Sequence, residues 1–244
     1  MLIAIDSPLR KVPTGLDRRQ QIVIDGLRIS VDVVDLSFRR LCTSLKALPE
    51  VAPETTEFVE LAVSANLDAW TIVDYVHRFS ELLHQMPMIK QNLPQIQLLY
   101  RAASDAEHMR HYIQHARNEV DSLAASGLSV WGSLTWAMKA DYDAGRKTKR
   151  SLNMGTFYIG NFAAIGKIPQ SVEREVDCIE IYAGGRSFEL TGVLRYIECV
   201  IRGLERDIED QAGHLPRYGS DLLAALSVEV VTQITLDPTQ PNDT

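Results

Sequence analysis

The chain has 244 residues, of which 45% are apolar and 23% are charged, and its formal net charge is −7. This composition is typical of globular proteins and excludes a largely disordered chain. The negative charge argues against a protein that coats nucleic acid non-specifically, because that kind of affinity comes mainly from neutralising phosphates.

The first half of the chain, after an irregular lead-in over residues 1–20, has the apolar spacing of helices. Asp25-Gly26 is compatible with a hairpin turn, but apolar residues continue at helical intervals from Leu27 to Leu48, which favours a helix from about Leu27. Pro53 opens a short helix that ends near Asn66, and residues 67–86 form a strongly amphipathic helix. We therefore predict the first three long helices of a bundle within residues 21–126.

A long helix is predicted from Pro94 to about residue 126, where Gly127 is suited to end it. On a wheel of 100° per residue, one face carries Leu98, Ala102, Met109, Ile113, Ala116, Val120 and Leu123, and we expect that face to be buried. The opposite, polar face carries five residues with chemistry-bearing or polar side chains: His108, Arg110, His111, Gln114 and His115.

Residues 127–190 change to the alternating pattern of strands, and the Gly184-Gly185 pair predicts a hairpin. Thr191 is a candidate cap for a last amphipathic helix over 191–212, and 213–244 form an extension with an edge strand near 228–236. The predicted fold is α+β and mainly helical. It is a four-helix bundle with an antiparallel β-rich insertion before the last long helix.

The helix of residues 94–126 combines a guanidinium with an imidazole, which suits phosphate chemistry. Arg110 can bind phosphate oxygens in a fork, and His115 can carry a proton near neutral pH. These two side chains lie about 140° apart because five residues separate them. They cannot easily meet on one atom, whereas packing the helix against its twofold copy would bring each Arg near the other chain's His. We therefore expect a homodimer.

The segment Arg110-His-Tyr-Ile-Gln-His115 resembles the motif of the HEPN superfamily, in which an Arg, usually followed by a polar residue, precedes a His. The resemblance implies a helical bundle that dimerises through these helices and, in active members, a metal-independent endoribonuclease without a cofactor. Toxins and anti-phage proteins are common there, so an antitoxin or other protein partner is also implied. In this interpretation Arg110 and His115 are catalytic, and His111 or Gln114 orients the phosphate.

Basic residues near this site are candidate contacts to an RNA backbone. Arg117 follows the motif, and a basic segment connects two predicted strands: Arg146, Lys147, Lys149 and Arg150. The simpler interpretation of that segment is a solvated loop, since charge runs are common on surfaces.

Two other interpretations of the central helix remain open. His108, His111 and His115 share a stripe that could bind zinc, although the first and last lie about 10 Å apart along a straight helix. Alternatively, the polar face belongs to a catalytically silent bundle that binds a partner or nucleotide. The chain has no Gly-rich phosphate loop and no Gly-x-Ser-x-Gly elbow to support another enzyme class.

Location and redox state follow from what the sequence lacks. Three cysteines without a Cys-x-x-Cys pair indicate neither a disulfide framework nor a zinc ribbon. The start of the chain has too short an apolar run for a signal peptide, and no stretch approaches the length of a membrane span. We expect a soluble, cytoplasmic protein.

Overall fold

The computed structural model describes residues 1–86, 89–126, 129–155 and 170–217. The mainly helical α+β class is confirmed. In chain order the elements are α1 (Arg18–Ala47), a 3₁₀ turn (Leu48–Glu50), α2 (Thr56–His84), α3 (Pro94–Gln114), α4 (Ala116–Ser126), β1 (Ser133–Met138), α5 (Lys139–Asp143), β2 (Arg150–Asn153), β3 (Val176–Ala183), β4 (Arg186–Glu189) and α6 (Leu190–Ala212).

Helix α1 begins at Arg18 rather than near Leu27, because Asp17 and Gln20 form a reciprocal capping box. The Asp17 carboxylate accepts from the Gln20 amide N–H at 2.9 Å, and the Gln20 side chain accepts from the Asp17 N–H at 3.1 Å. The hairpin alternative at Asp25-Gly26 is wrong. Gly26 lies inside the helix, where a Cβ would come within 2.9 Å of Leu82 Cδ1, so the glycine permits close packing of α1 on α2.

Helix α2 is continuous, so the predicted break near Asn66 is wrong. Its N-terminus is capped by the Thr55 hydroxyl, which accepts from the Phe58 N–H at 3.2 Å. Helices α2 and α3 are antiparallel. Asp74 meets Arg110 towards one end of their contact, and His84 stacks on Tyr100 towards the other, with 3.9 Å between ring centroids.

The single helix predicted from Pro94 to residue 126 is wrong. Helix α3 ends at Gln114, and His115 leaves the helical conformation at φ −111° before α4 begins. The face that we expected to be buried is confirmed only in part, because Met109 and Leu123 are buried whereas Leu98 on α3 and Val120 on α4 are exposed. The residues that α3 buries are Ile96, Leu99, Ala103, Ala106 and Met109.

The four strands form one antiparallel sheet in the order β2-β1-β3-β4. The predicted hairpin is present between β3 and β4, where Gly184 and Gly185 adopt φ of 57° and 76°. Leu134 of β1 pairs with Ile181 of β3, and Ile181 pairs with Phe188 of β4. These three side chains belong to the same buried cluster as the helices, so the sheet closes one side of the core.

Within the segment predicted to be β-rich, the strand expected over 130–138 starts at Ser133. The strand expected over 153–160 shares only Asn153 with β2, and residues 156–160 lie outside the described residues. The predicted turn over 141–145 includes the end of the short helix α5. Thr191 does not cap α6. Its hydroxyl instead accepts from the Ile179 N–H at 3.0 Å, which ties the start of α6 to β3.

The extension beyond Arg217, including the edge strand expected near 228–236, lies outside the described residues. In the part of the chain that is described, no helix combines the length and the apolar character needed to cross a membrane.

Candidate functional site

The contact between α2 and α3 carries a small charged cluster. Arg110 Nε donates to Asp74 Oδ1 at 2.8 Å, and Arg78 Nε donates to Asp74 Oδ2 at 2.7 Å. One carboxylate therefore fixes two guanidinium groups. Arg110, which we expected on an outward polar face, is 31% exposed and pairs with Asp74 of α2.

An apolar groove of about 570 Å³ lies beside this cluster, between α2, the end of α3 and the segment that precedes β1. Its volume is within the range of small-molecule sites. The groove is lined by Val63, Asn66, Leu67, Trp70, Val73, Asp74, Arg110, Ile113, Gln114, Trp131 and Met154. We call this set the α2–α3 groove.

The far wall of the groove is fixed by hydrogen bonds rather than left as an open loop. Trp70 Nε1 donates to the Trp131 carbonyl at 3.3 Å, and the Trp131 N–H donates to Ser129 Oγ at 3.2 Å. The Tyr112 hydroxyl donates to the Val130 carbonyl at 3.1 Å. Burial, with the nearby Glu119 carboxylate, raises the pKa of Tyr112, so the hydroxyl stays protonated and keeps this bond. The wall is preformed.

Besides Asp74, three polar residues line the groove among its apolar walls: Asn66, Arg110 and Gln114. Asn66 Oδ1 is buried and has no hydrogen-bond partner among the described residues. Gln114 is exposed at the end of α3, and the terminal nitrogens of Arg110 have no acceptor in the described part of the chain. A buried polar atom without a partner is costly, which makes such atoms natural contacts for a bound molecule.

The structure divides the four predicted catalytic residues between two surfaces. Arg110 and Gln114 line the α2–α3 groove. His111 and His115 are exposed, do not line the groove, and lie against each other with 4.4 Å between ring centroids. Arg110 and His115 therefore belong to different surfaces of this chain.

His111 and His115 are four residues apart at the end of α3, a spacing that places side chains next to each other on a helix. The His115 N–H is shared between the carbonyls of His111 (3.1 Å) and Tyr112 (3.2 Å), which is the geometry of a tightened last turn. Tyr112 is anchored beside this turn, because a Cβ at Gly184 would lie only 2.5 Å from its ring. No glycine or proline marks the end of α3.

The three-histidine metal site has no support in the geometry. His108 Nδ1 is 2.6 Å from the Ser104 carbonyl, one turn back along α3. Across the described residues, no group of three His, Cys, Asp or Glu side chains is placed to hold a metal ion.

The basic segment between β1 and β2 is not the freely solvated tip that we expected. The Lys149 side chain is only 5% exposed and lies 3.1 Å from Glu180. Arg150 and Arg146 both pair with Asp141, at 3.0 and 3.4 Å. Lys147 is exposed, as is Arg117 on α4, and neither has an ion pair within the described ranges. Three of these five basic side chains are therefore held in ion pairs within the chain, by the two carboxylates of Glu180 and Asp141.

Three residues that line the groove were not predicted as site residues from the sequence: Asp74, Trp131 and Trp70. A signal was available in α2. Val59, Val63 and Leu67 recur every four residues on a face that does not include the buried Ala65, Ala69 and Ile72, so α2 is apolar on two sides. A helix that is apolar on two sides has two surfaces to cover.

Comparison with protein-family models, with curated proteins and with solved structures gives no match for this chain. The resemblance to the HEPN superfamily therefore depends on the segment from Arg110 to His115.

Proposed function

We propose that this chain is a helical binding module whose ligand occupies the α2–α3 groove. The observation that carries the proposal is a preformed apolar groove that gathers Trp70, Trp131 and the Asp74–Arg110 ion pair at one place. Apolar walls with a few convergent polar groups are the usual composition of a ligand site. The apolar walls would supply affinity, and the polar groups would fix orientation.

The exposed apolar residues beside the groove support the same proposal. Val63 and Leu67 are 54% and 58% exposed, and Trp131 is 52% exposed. Contiguous apolar surface of this kind marks interaction sites in soluble proteins. Because the wall is already hydrogen-bonded, binding would require little ordering of the protein.

Titration with the neutral, polarity-sensitive dye Nile red tests this function. We expect saturable, blue-shifted emission with the wild-type protein and at least tenfold weaker binding to Leu67→Asp, because the substitution places a carboxylate in the apolar wall. Leu36→Asp is the matched control, since Leu36 is exposed on α1 and does not line the groove. Equal binding by both variants, or no saturation with the wild type, would reject the proposal.

A second candidate function is favoured by the contact between His111 and His115. We propose HEPN-like, metal-independent RNA cleavage, in which the ribose 2′-oxygen attacks phosphorus and the 5′-oxygen leaves. His115 would exchange the proton with one of these oxygens, and His111, whose ring touches it, would orient it. Arg110 from the second copy would stabilise charge on the phosphate, with Gln114 beside it.

RNA cleavage in EDTA distinguishes this candidate from a silent module. His115→Ala should lose about 100-fold or more in rate, whereas the control His84→Ala should retain activity. An RNA with a single 2′-deoxy substitution at the cut site should resist, and growth inhibition on expression should depend on His115. If wild type and His115→Ala behave alike in both assays, the module is a binding protein only.

A further inference from the structure

The charged cluster at the edge of the α2–α3 groove is not electrically balanced. Asp74 provides one negative charge, whereas Arg78 and Arg110 provide two positive charges, so the three groups together carry a formal charge of +1. Both arginines use Nε for Asp74. Arg110 lines the groove, and its terminal nitrogens have no acceptor within the described part of the chain.

The position of this charge relative to the apolar walls defines the shape of a suitable ligand. Leu67, Trp70 and Trp131 are among the apolar residues that line the groove, and Arg110 lines it from the α3 side. An apolar chain would contact the tryptophans, and a single anionic group would reach Arg110. A cationic head is disfavoured by the +1 cluster, and a wholly apolar ligand would leave the terminal N–H donors of Arg110 without a new acceptor.

We propose that the α2–α3 groove binds a single-chain amphiphile with an anionic head, of the acyl carboxylate class. This inference rests on the proposed binding function and specifies its ligand. Arg110 forms charge-assisted hydrogen bonds to the head, which are shorter and about twice as strong as neutral ones. Asp74 holds Arg110 in place by its Nε, so the guanidinium is oriented before the ligand arrives.

Because two arginines bind Asp74, a variant that lacks Arg110 retains one ion pair at this carboxylate. When Arg110 is replaced, Asp74 keeps Arg78 at 2.7 Å, so its carboxylate is not left without a cation. Arg110→Gln therefore removes the head-group contact while retaining the local ion pair. Arg117→Gln is the matched control, because Arg117 is an exposed arginine on α4 that does not line the groove.

The experiment titrates wild type and both variants with sodium dodecanoate and with dodecyl maltoside, each below its critical micelle concentration. The two probes share the tail and differ in head charge. Tryptophan emission reports binding, because Trp70 and Trp131 line the groove. We expect Arg110→Gln to raise the Kd for dodecanoate by about tenfold or more and to leave the Kd for dodecyl maltoside unchanged. Arg117→Gln should match the wild type with both probes.

The outcomes separate failure of the head-group assignment from failure of the groove itself. If Arg110→Gln binds both probes as the wild type does, or loses both equally, the anionic-head assignment is overturned and the groove function stands. If neither probe binds the wild type, the groove function falls as well. Light scattering provides the last outcome. If the protein is a dimer, and dodecanoate neither binds to that dimer nor dissociates it, a second copy of the chain occupies the groove and the amphiphile proposal is overturned.

Discussion

Leu67 and Asp68 are neighbours in the chain, yet α2 exposes the leucine and buries the aspartate. Leu67 is 58% exposed, whereas Asp68 is 2% exposed and lies 3.3 Å from Arg40 of α1. The order is the reverse of what transfer energies favour for the two side chains taken alone. The two faces of α2 are therefore subject to different constraints.

The face of α2 towards α1 is fully packed, and we call it the complete face. Its apolar residues are all buried: Ile72, Val76, Phe79 and Leu83. The other face carries Val59, Val63 and Leu67, which are all more than half exposed. The first face holds the helix pair together, and the second is apolar surface that the described residues do not cover. The stability of this helix and its proposed binding function are therefore carried by different residues. Substitutions on one face can change stability without changing binding, and the reverse.

The largest expected effect is on the complete face. Phe79 is fully buried, and Phe79→Ala should destabilise the fold by about 3–5 kcal/mol, since it leaves a cavity that neighbours fill only in part. Chemical denaturation measures this as a lower midpoint with an unchanged slope. Nile red binding per folded molecule should not change, because Phe79 does not line the groove. Loss of binding in the fully folded variant would show that the two faces are coupled.

A smaller effect is expected on the open face. Val63→Thr replaces a groove methyl by a hydroxyl and should weaken dodecanoate binding about fourfold, the value of one buried methyl at about 0.8 kcal/mol. Stability should change by less than about 0.5 kcal/mol, since the position is exposed. Val59→Thr is the matched control on the same helix, because Val59 is as exposed as Val63 and does not line the groove. Equal weakening by both would mean that binding is spread along the helix.

The parts of the fold that could be predicted depend on local signals. Apolar spacing identified the long helices, and the Gly184-Gly185 pair identified the β3–β4 hairpin, because positive φ at both positions suits glycine. The Asp25-Gly26 signal misled, since packing against Leu82 overrides a local turn preference. Close helix packing also favours glycine, and the sequence alone does not distinguish the two reasons.

The candidate site was only partly predictable, because its geometry depends on contacts between distant segments. The importance of Arg110 could be anticipated, but its partner Asp74 lies 36 residues away on another helix. The break at His115 has no glycine or proline beside it, so no local signal predicted it. The face chosen for one continuous helix includes the buried Met109 and Leu123, but also the exposed Leu98 and Val120.

The smallest expected effect concerns Asp68, the buried acid on the complete face. Burial raises the pKa of Asp68, and the nearby Arg40 offsets this only in part. A carboxyl whose pKa is higher in the folded state than in the unfolded state binds protons more tightly when folded. It therefore favours folding below the unfolded pKa of about 3.9, and this contribution is lost as the pH rises through the folded pKa.

Asp68→Asn should consequently raise Tm at pH 7, by about 1–3 °C, and the gain should shrink as the pH falls towards 4. Arg40→Gln is the opposing variant, because it leaves the buried carboxylate without its cation and should lower Tm at pH 7 more than at pH 4. Thermal melts of the three proteins at both pH values test the assignment. A lower Tm for Asp68→Asn at pH 7 would mean that the ion pair with Arg40 outweighs the cost of burying the charge, and that Asp68 belongs to the stabilising contacts of this face.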